Sequence, residues 1–157
     1  MAYSMQMNKP TPNPATPDDK IHGLGLRMTD QRRAVYDVLM GKRDHPTAVE
    51  VFTRVRDRIP SISLATVYNC LETLADCGLA KTVTDERGPA RYCPNLQEHA
   101  HFFCEKCGEV ADIPLRNRRR PEDIWEFPKA LTISRHEVSF RGVCPKCAAK
   151  TKAAKRN

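Results

Sequence analysis

The stretch HAHFFCEKCGEV, residues 99–110, crowds donor atoms together: His99 and His101 form a His-x-His, and Cys104 and Cys107 a Cys-x-x-Cys. A second Cys-x-x-Cys, Cys144 and Cys147, lies near the C-terminal end. This spacing lets two thiolates of one knuckle reach a single tetrahedral zinc at about 2.3 Å, and two knuckles complete a four-cysteine site. Closed sites of that kind are structural, and their binding energy is largely folding energy. A redox dithiol would explain either pair alone; two matched pairs favour zinc.

If the cysteines serve one zinc, the histidines need other partners. Two positions apart on a strand, His99 and His101 point to one face and can chelate one ion, although a pair of surface histidines has the same spelling. The other donors in reach of such a site are His45, ahead of a helical segment, Asp112, on the next strand, and Cys93. A site combining His45 from the first half with His99, His101 and Asp112 from the second would straddle their junction. An ion there would fix the relative orientation of the halves, as a switch requires. Cys93 is either a fifth donor or a buried packing thiol.

The elements that must position these residues follow from periodicity. Residues 1–22, rich in Pro, Asn, Thr and Asp, read as a disordered arm, with order beginning near Leu24. Thr29 caps a helix in TDQRRAVYDVLMGK, with Ala34, Val35, Val38 and Leu39 on one face and Gly41 at its end. Pro46 and Thr47 open a second helix in HPTAVEVFTRVRDR, which Pro60 closes. Ser61 or Ser63 caps a third, SLATVYNCLETLADCG, with Leu64, Val67, Leu71 and Leu74 at helical spacing and Gly78 at its C-terminus. Three short amphipathic helices followed by two β-type runs, LAKTVT and ARYC around DERGP, form a helix-turn-helix with a wing.

From His99 the texture becomes short alternating strands: AHFFC, EVADI and TISRHEVSFRGVC. Between them Pro114, Pro121 and Pro128 forbid one long helix but allow a short one around Glu122 to Phe127. The expected fold class is α+β. A winged-helix domain over 23–94 precedes a small α/β domain over 95–149 that carries the four-cysteine zinc site, and a solvated basic tail occupies 150–157.

Composition narrows the function classes. The formal net charge of +7 is uneven: residues 1–114 hold 14 Lys/Arg against 15 Asp/Glu, residues 115–157 hold 12 against 4. That balance permits a nucleic-acid partner without locating its site. Seven cysteines, with neither a membrane span nor a signal-peptide pattern, suit a soluble, cytoplasmic metal-binding protein. A zinc hydrolase would need an open zinc position with a general base, and no His-Glu-x-x-His occurs. A zinc-ribbon interaction module would explain the cysteine knuckles but leave the winged helix and His45 idle.

Taken together, LRMTDQRRAV, DHPTAVEVFTRVR, IPSISLATVYNCLETLADCGLA, ARYC, HAHFFCEKCGEV and RGVCPKC resemble the ferric uptake regulator family of metal-dependent transcriptional repressors over about residues 24–148. The resemblance implies an N-terminal winged helix, a C-terminal dimerisation domain, and operator binding as a homodimer on palindromic double-stranded DNA when a regulatory metal occupies the hinge. It assigns Cys104, Cys107, Cys144 and Cys147 to structural Zn2+, and His45, His99, His101 and Asp112 to a regulatory site for Fe2+ or Mn2+. The fifth regulatory position, Asp or Glu in iron- and peroxide-sensing members, is Cys93; a thiolate shifts preference toward Zn2+, as in zinc-uptake regulators.

Asp112, where iron-uptake members carry Glu, and Asn69, where they carry Arg, point to the peroxide-stress branch, in which iron-bound peroxide chemistry oxidises a ligand histidine and releases the operator. The family's additional metal site is expected to be absent: Ala100 and Arg119 stand at its acidic positions and His136 alone survives. On the third helix, Ser63, Thr66, Tyr68 and Asn69 would face the major groove, and Arg27 matches a residue reaching the minor groove.

Overall fold

Each of the first four helices starts at a hydroxyl. The computed structural model describes residues 15–85, 88–116, 123–134 and 136–154. In it α1 spans Pro17–Gly23, α2 Asp30–Gly41, α3 Ala48–Val55 and α4 Leu64–Asp76. The side chains of Thr16, Thr29, Thr47 and Ser63 accept from the backbone N–H of Asp19, Arg32, Glu50 and Thr66, satisfying donors that a helix start leaves unpaired. In α1 and α3 the residue three positions on, Asp19 or Glu50, reciprocates to the cap backbone. At the far end of α4, Gly78 has φ 64°, a conformation costly for other residues, and the chain turns back so that the Leu79 N–H reaches the Leu74 carbonyl at 2.8 Å.

The buried faces of these helices share one core: Ala34, Val35 and Leu39 of α2, Val51 and Val55 of α3, Val67, Leu71 and Leu74 of α4, closed by Ile62, Leu79 and Tyr92. Strands β1 (Lys81–Val83) and β2 (Arg91–Cys93) pair antiparallel, with Thr82 opposite Tyr92. A three-stranded sheet follows, with β3 (His99–Cys104) between antiparallel β4 (Val110–Pro114) and parallel β5 (Ser139–Gly142). Helix α5 covers Pro145–Ala154. Val83 and Cys93 of the hairpin pack with Phe103 and Val110 of the sheet in a second small core, and Arg141 pairs with Asp85 at 3.0 Å. The hairpin is thereby seated on the sheet.

The structure departs from the sequence expectations in four places. Within the expected arm 1–22, the segment from Pro17 is helical: Thr16 and Pro17 start it, Ile21 is fully buried against the helical core, and Asp18 pairs with Arg33. Residues 1–14 of that arm lie outside the described residues. The expected tail from residue 150 continues α5 to Ala154, and 155–157 lie outside. The expected strand TISRHEVSFRGVC contracts to Ser139–Gly142, because β3 offers parallel partners only from His101 to Cys104. The segment 123–127 forms turn and extended chain, with no α-helix; Glu122 and Pro121 lie outside the described residues, as do Glu86 and Arg87 at the hairpin tip.

Candidate functional site

Five donor atoms converge where the hairpin, the sheet and the start of α3 meet: those of His45, Cys93, His99, His101 and Asp112 all lie within 4.8 Å of one another. His99 and His101 share a face of β3, their Nε2 atoms 3.0 Å apart. Asp112 stands directly opposite His101 across the β3–β4 pair. Its Oδ1 is 3.2 Å from His99 Nε2 and 3.8 Å from His101 Nε2. Cys93, the last residue of β2, places Sγ 3.5 Å from His99 Nε2 and 3.9 Å from Asp112 Oδ1.

His45 reaches the cluster from the helical half. It has φ 51°, the one described non-glycine residue in that region, and is 2% exposed. Such strain persists only where surroundings over-determine it, and here they do. The Arg91 guanidinium donates to the His45 carbonyl at 2.9 Å, the Tyr92 N–H donates to the Pro46 carbonyl at 3.0 Å, and Arg54 grips Asp44 through both carboxylate oxygens at 2.9 and 2.7 Å.

The donor set fits an ion. His45 Nε2 approaches Asp112 Oδ1 to 2.7 Å, yet neither nitrogen of this buried ring makes a directed hydrogen bond. A buried ring nitrogen set among four other donors with no directed bond of its own is aimed at their common centre. Donors about 2.1 Å from one ion stand about 3.0–3.4 Å apart along the edges of an octahedron or tetrahedron, and the observed separations straddle that range.

Protonation suits binding as well. The Gln97 carbonyl, 2.7 Å from His99 Nδ1, can only accept, so Nδ1 carries a proton and Nε2 is the nitrogen turned to the cluster. Burial pushes the His45 imidazole below its ordinary value against the pull of Asp112. Burial, then repulsion from His99 and His45, pushes His101 down to about 4. Burial works to raise Asp112, but the Asn95 amide and the charges of His45 and His99 bring it below the usual carboxylate value. Burial also pushes the Cys93 thiol up to about 11. These shifts favour the unprotonated forms of His45, His101 and Asp112, which are the forms that ligate, and ligation by Cys93 would release a proton.

Two residues of this site gave no signal in the sequence. Asn95 donates from Nδ2 to Asp112 Oδ2 at 2.7 Å, and Gln97 supplies the carbonyl that orients His99. Both sit in the turn between β2 and β3, where no periodicity marks them.

The second donor group is Cys104, Cys107, Cys144 and Cys147. Cys104 ends β3, Cys107 lies in a tight turn closed by Gly108 at φ 70°, and Cys144 and Cys147 flank the start of α5. Cys107 and Cys144 have sulfurs 3.8 Å apart, the edge of a tetrahedron with bonds of about 2.3 Å. The Cys144 N–H donates to Cys104 Sγ at 3.3 Å and holds that thiol down to about 6, so it is a ready thiolate.

On α4, Tyr68 and Asn69 are exposed, while Thr66 is half-buried. Ser63 is exposed but its hydroxyl caps the helix, accepting from the Thr66 N–H at 3.0 Å and sharing a hydrogen bond with Thr66 Oγ1 at 2.8 Å. Arg27 is exposed, and its carbonyl accepts from Arg32. Of the additional family site, His136 pairs with Glu98 at 3.0 Å and Ala100 is buried; Arg119 lies outside the described residues. Among the described residues no helix is long and apolar enough to cross a membrane.

Comparison with known proteins places the chain among transcription regulators of a metal-responsive family, whose members are regulators and not enzymes. The model of the ferric uptake regulator family matches residues 23–141, and the chain belongs to that family. It is 32% identical over 123 residues to the peroxide-responsive repressor PerR of Staphylococcus epidermidis, a match covering 78% of this chain and 82% of that protein. The Campylobacter jejuni peroxide stress regulator is similar in structure, with a TM-score of 0.62 and 29% identity over 74% of this chain and 88% of that one. The Helicobacter pylori ferric uptake regulator shares the fold, with a TM-score of 0.67 and 24% identity over 82% of this chain and 86% of that one.

Proposed function

We propose that the protein is a transcriptional repressor that binds palindromic operator DNA as a homodimer when Fe2+ or Mn2+ occupies the site of His45, Cys93, His99, His101 and Asp112, with peroxide or iron as its signal. The observation that carries this reading is the origin of the donors: His45 precedes α3 in the helical half, and the other four come from the strands and sheet. Helices α2 to α4 with the β1–β2 hairpin act as the winged helix, α4 being the recognition helix. Tyr68 and Asn69 face base edges, Thr66 and Ser63 hold its N-terminal turn near the phosphates, and Arg27 reaches the adjacent groove. Cys104, Cys107, Cys144 and Cys147 hold a structural zinc.

A bound regulatory ion supplies one positive centre shared by five donors. His45, fastened to Arg91 through its carbonyl, then ties the entry of α3 to β3 and β4, so that α4 is held in one orientation relative to the sheet. With the donors apart, the described contacts that hold that orientation include the small Val83–Cys93–Phe103–Val110 core, the Asp85–Arg141 pair and the Lys81–Gln97 contact. A cavity of about 820 Å3 is lined in part by His99, His101, Phe103 and Ile113 and so borders two of the five donors.

Cys93 favours a second reading, a zinc sensor, because a buried sulfur 3.5 Å from His99 Nε2 adds a soft donor. Duplexes selected from a random pool and gel shifts with Fe2+, Mn2+ or Zn2+, before and after chelation of the labile ion, test both. Binding by the metal-loaded form alone is expected; binding indifferent to chelation would sink the switch. Loss of the zinc response but not the iron response in Cys93→Ser selects the zinc reading.

A further inference from the structure

The turn between β2 and β3 makes a chain of contacts that ends on the donor atoms. Asn95 uses both ends of its amide: Oδ1 accepts from the Gln97 N–H at 3.2 Å, and Nδ2 donates to Asp112 Oδ2 at 2.7 Å. The carboxylate can only accept, so the amide orientation is determined by its two partners. Gln97 in turn accepts at its carbonyl from His99 Nδ1 and from Lys81 Nζ, at 2.7 and 3.0 Å. Asp112 thus has its two oxygens divided. Oδ2 is held by Asn95, and Oδ1 faces His45, His99 and His101 at 2.7, 3.2 and 3.8 Å.

Resting on the second, zinc-sensing reading above, the geometry points to Asn95 as a positioning residue that makes Asp112 a one-oxygen donor and so limits the site to five protein donors. Three imidazoles, one thiolate and one carboxylate oxygen suit ions that accept four or five donors of mixed softness, such as Zn2+. Mn2+ and Mg2+ are served by oxygen-rich octahedra, and a carboxylate free to chelate through both oxygens would move the site toward them. Asn95 accordingly sets metal preference without touching the ion.

The test uses the full chain with the four-cysteine site filled by zinc, titrated with Co2+ as a spectroscopic probe and then with Zn2+ and Mn2+ in competition. The wild-type protein is expected to show a sulfur-to-cobalt charge-transfer band and the strong visible bands of four- or five-coordinate Co2+. In Asn95→Ala the visible bands weaken toward the six-coordinate pattern, and the ratio of Zn2+ to Mn2+ affinity falls by about tenfold, the lower end of what an outer partner of a ligand contributes. Asn95→Asp, which keeps the oxygen that accepts from Gln97 and loses the donor to Asp112, guards against mere loss of the turn and should shift the same way. Unchanged spectra and affinity ratios within twofold in both variants overturn the role of Asn95 while leaving the metal site standing. Absence of the charge-transfer band in the wild-type protein overturns the five-donor set itself.

Discussion

At the scale of single residues, the site is built from constraints on its neighbours as much as from its donors. His45 reaches the cluster because Asp44, Pro46 and Arg91 leave its backbone no relaxed alternative. Asp44 is held near pKa 2 by hydrogen bonds from Arg54. Its folded value lies below its unfolded one, so the linked stability is present above about pH 4 and is lost as pH falls toward 2. Asp44→Asn should therefore lower unfolding stability at pH 7 by on the order of 1–2 kcal/mol, and denaturant titrations from pH 7 to 3 should show the difference shrinking. His45→Ala should weaken the regulatory ion by more than the ~10–100-fold that losing an outer partner costs, with zinc in the cysteine site still one per chain by metal analysis. The thiols, paired Cys-x-x-Cys and His-x-His were legible in the sequence because local spacing alone brings such donors together. Asn95 and the strain at His45 were not, since both are set by contacts to distant elements.

At the scale of elements, helices were legible where a cap and an apolar stripe coincide. α2 and α3 are capped by Thr29 and Thr47 as their sequence patterns indicate, and of Ser61 and Ser63, which the sequence left open, Ser63 caps α4. α1 escaped notice because seven residues carry no repeat; its evidence is one side chain, Ile21, which the core accepts and the sequence does not advertise. Ile21→Ala should cost about 2–4 kcal/mol, as truncations of buried aliphatics do, a loss readable as a lower thermal midpoint. The expected length of β5 failed for a related reason: alternation marks a capacity to pair, and the partner strand decides how much is used. On α4, Asn69→Ala should reduce specific operator affinity by about 1–3 kcal/mol while leaving non-specific DNA binding unchanged, measured by competition with unrelated duplex.

At the scale of the whole molecule, the two donor groups sit at different joints. The cysteine group joins the end of β3 to the start of α5, and the mixed group joins β3 and β4 to the entry of α3. Stripping the cysteine site with a strong chelator should unfold the sheet end first: loss of β-type circular dichroism and a lower thermal midpoint, recovered on adding Zn2+ under reducing conditions. Removing only the labile ion should leave both signals nearly unchanged and alter DNA affinity alone.

The parallel pairing of β3 with β5 carries a consequence for how the protein comes into being. Short strands slip, and a one-residue slip turns every side chain to the opposite face. Here it would turn the side chains of Ser139 to Gly142 to the opposite face of the sheet. Cys104 at the end of β3 and Cys144 just beyond β5 sit where a shared zinc would forbid that slip. If zinc fills the cysteine site, a newly made chain would fix the register of β5 only on capturing it, and a cell starved of zinc would make a protein whose last strand is left unpinned.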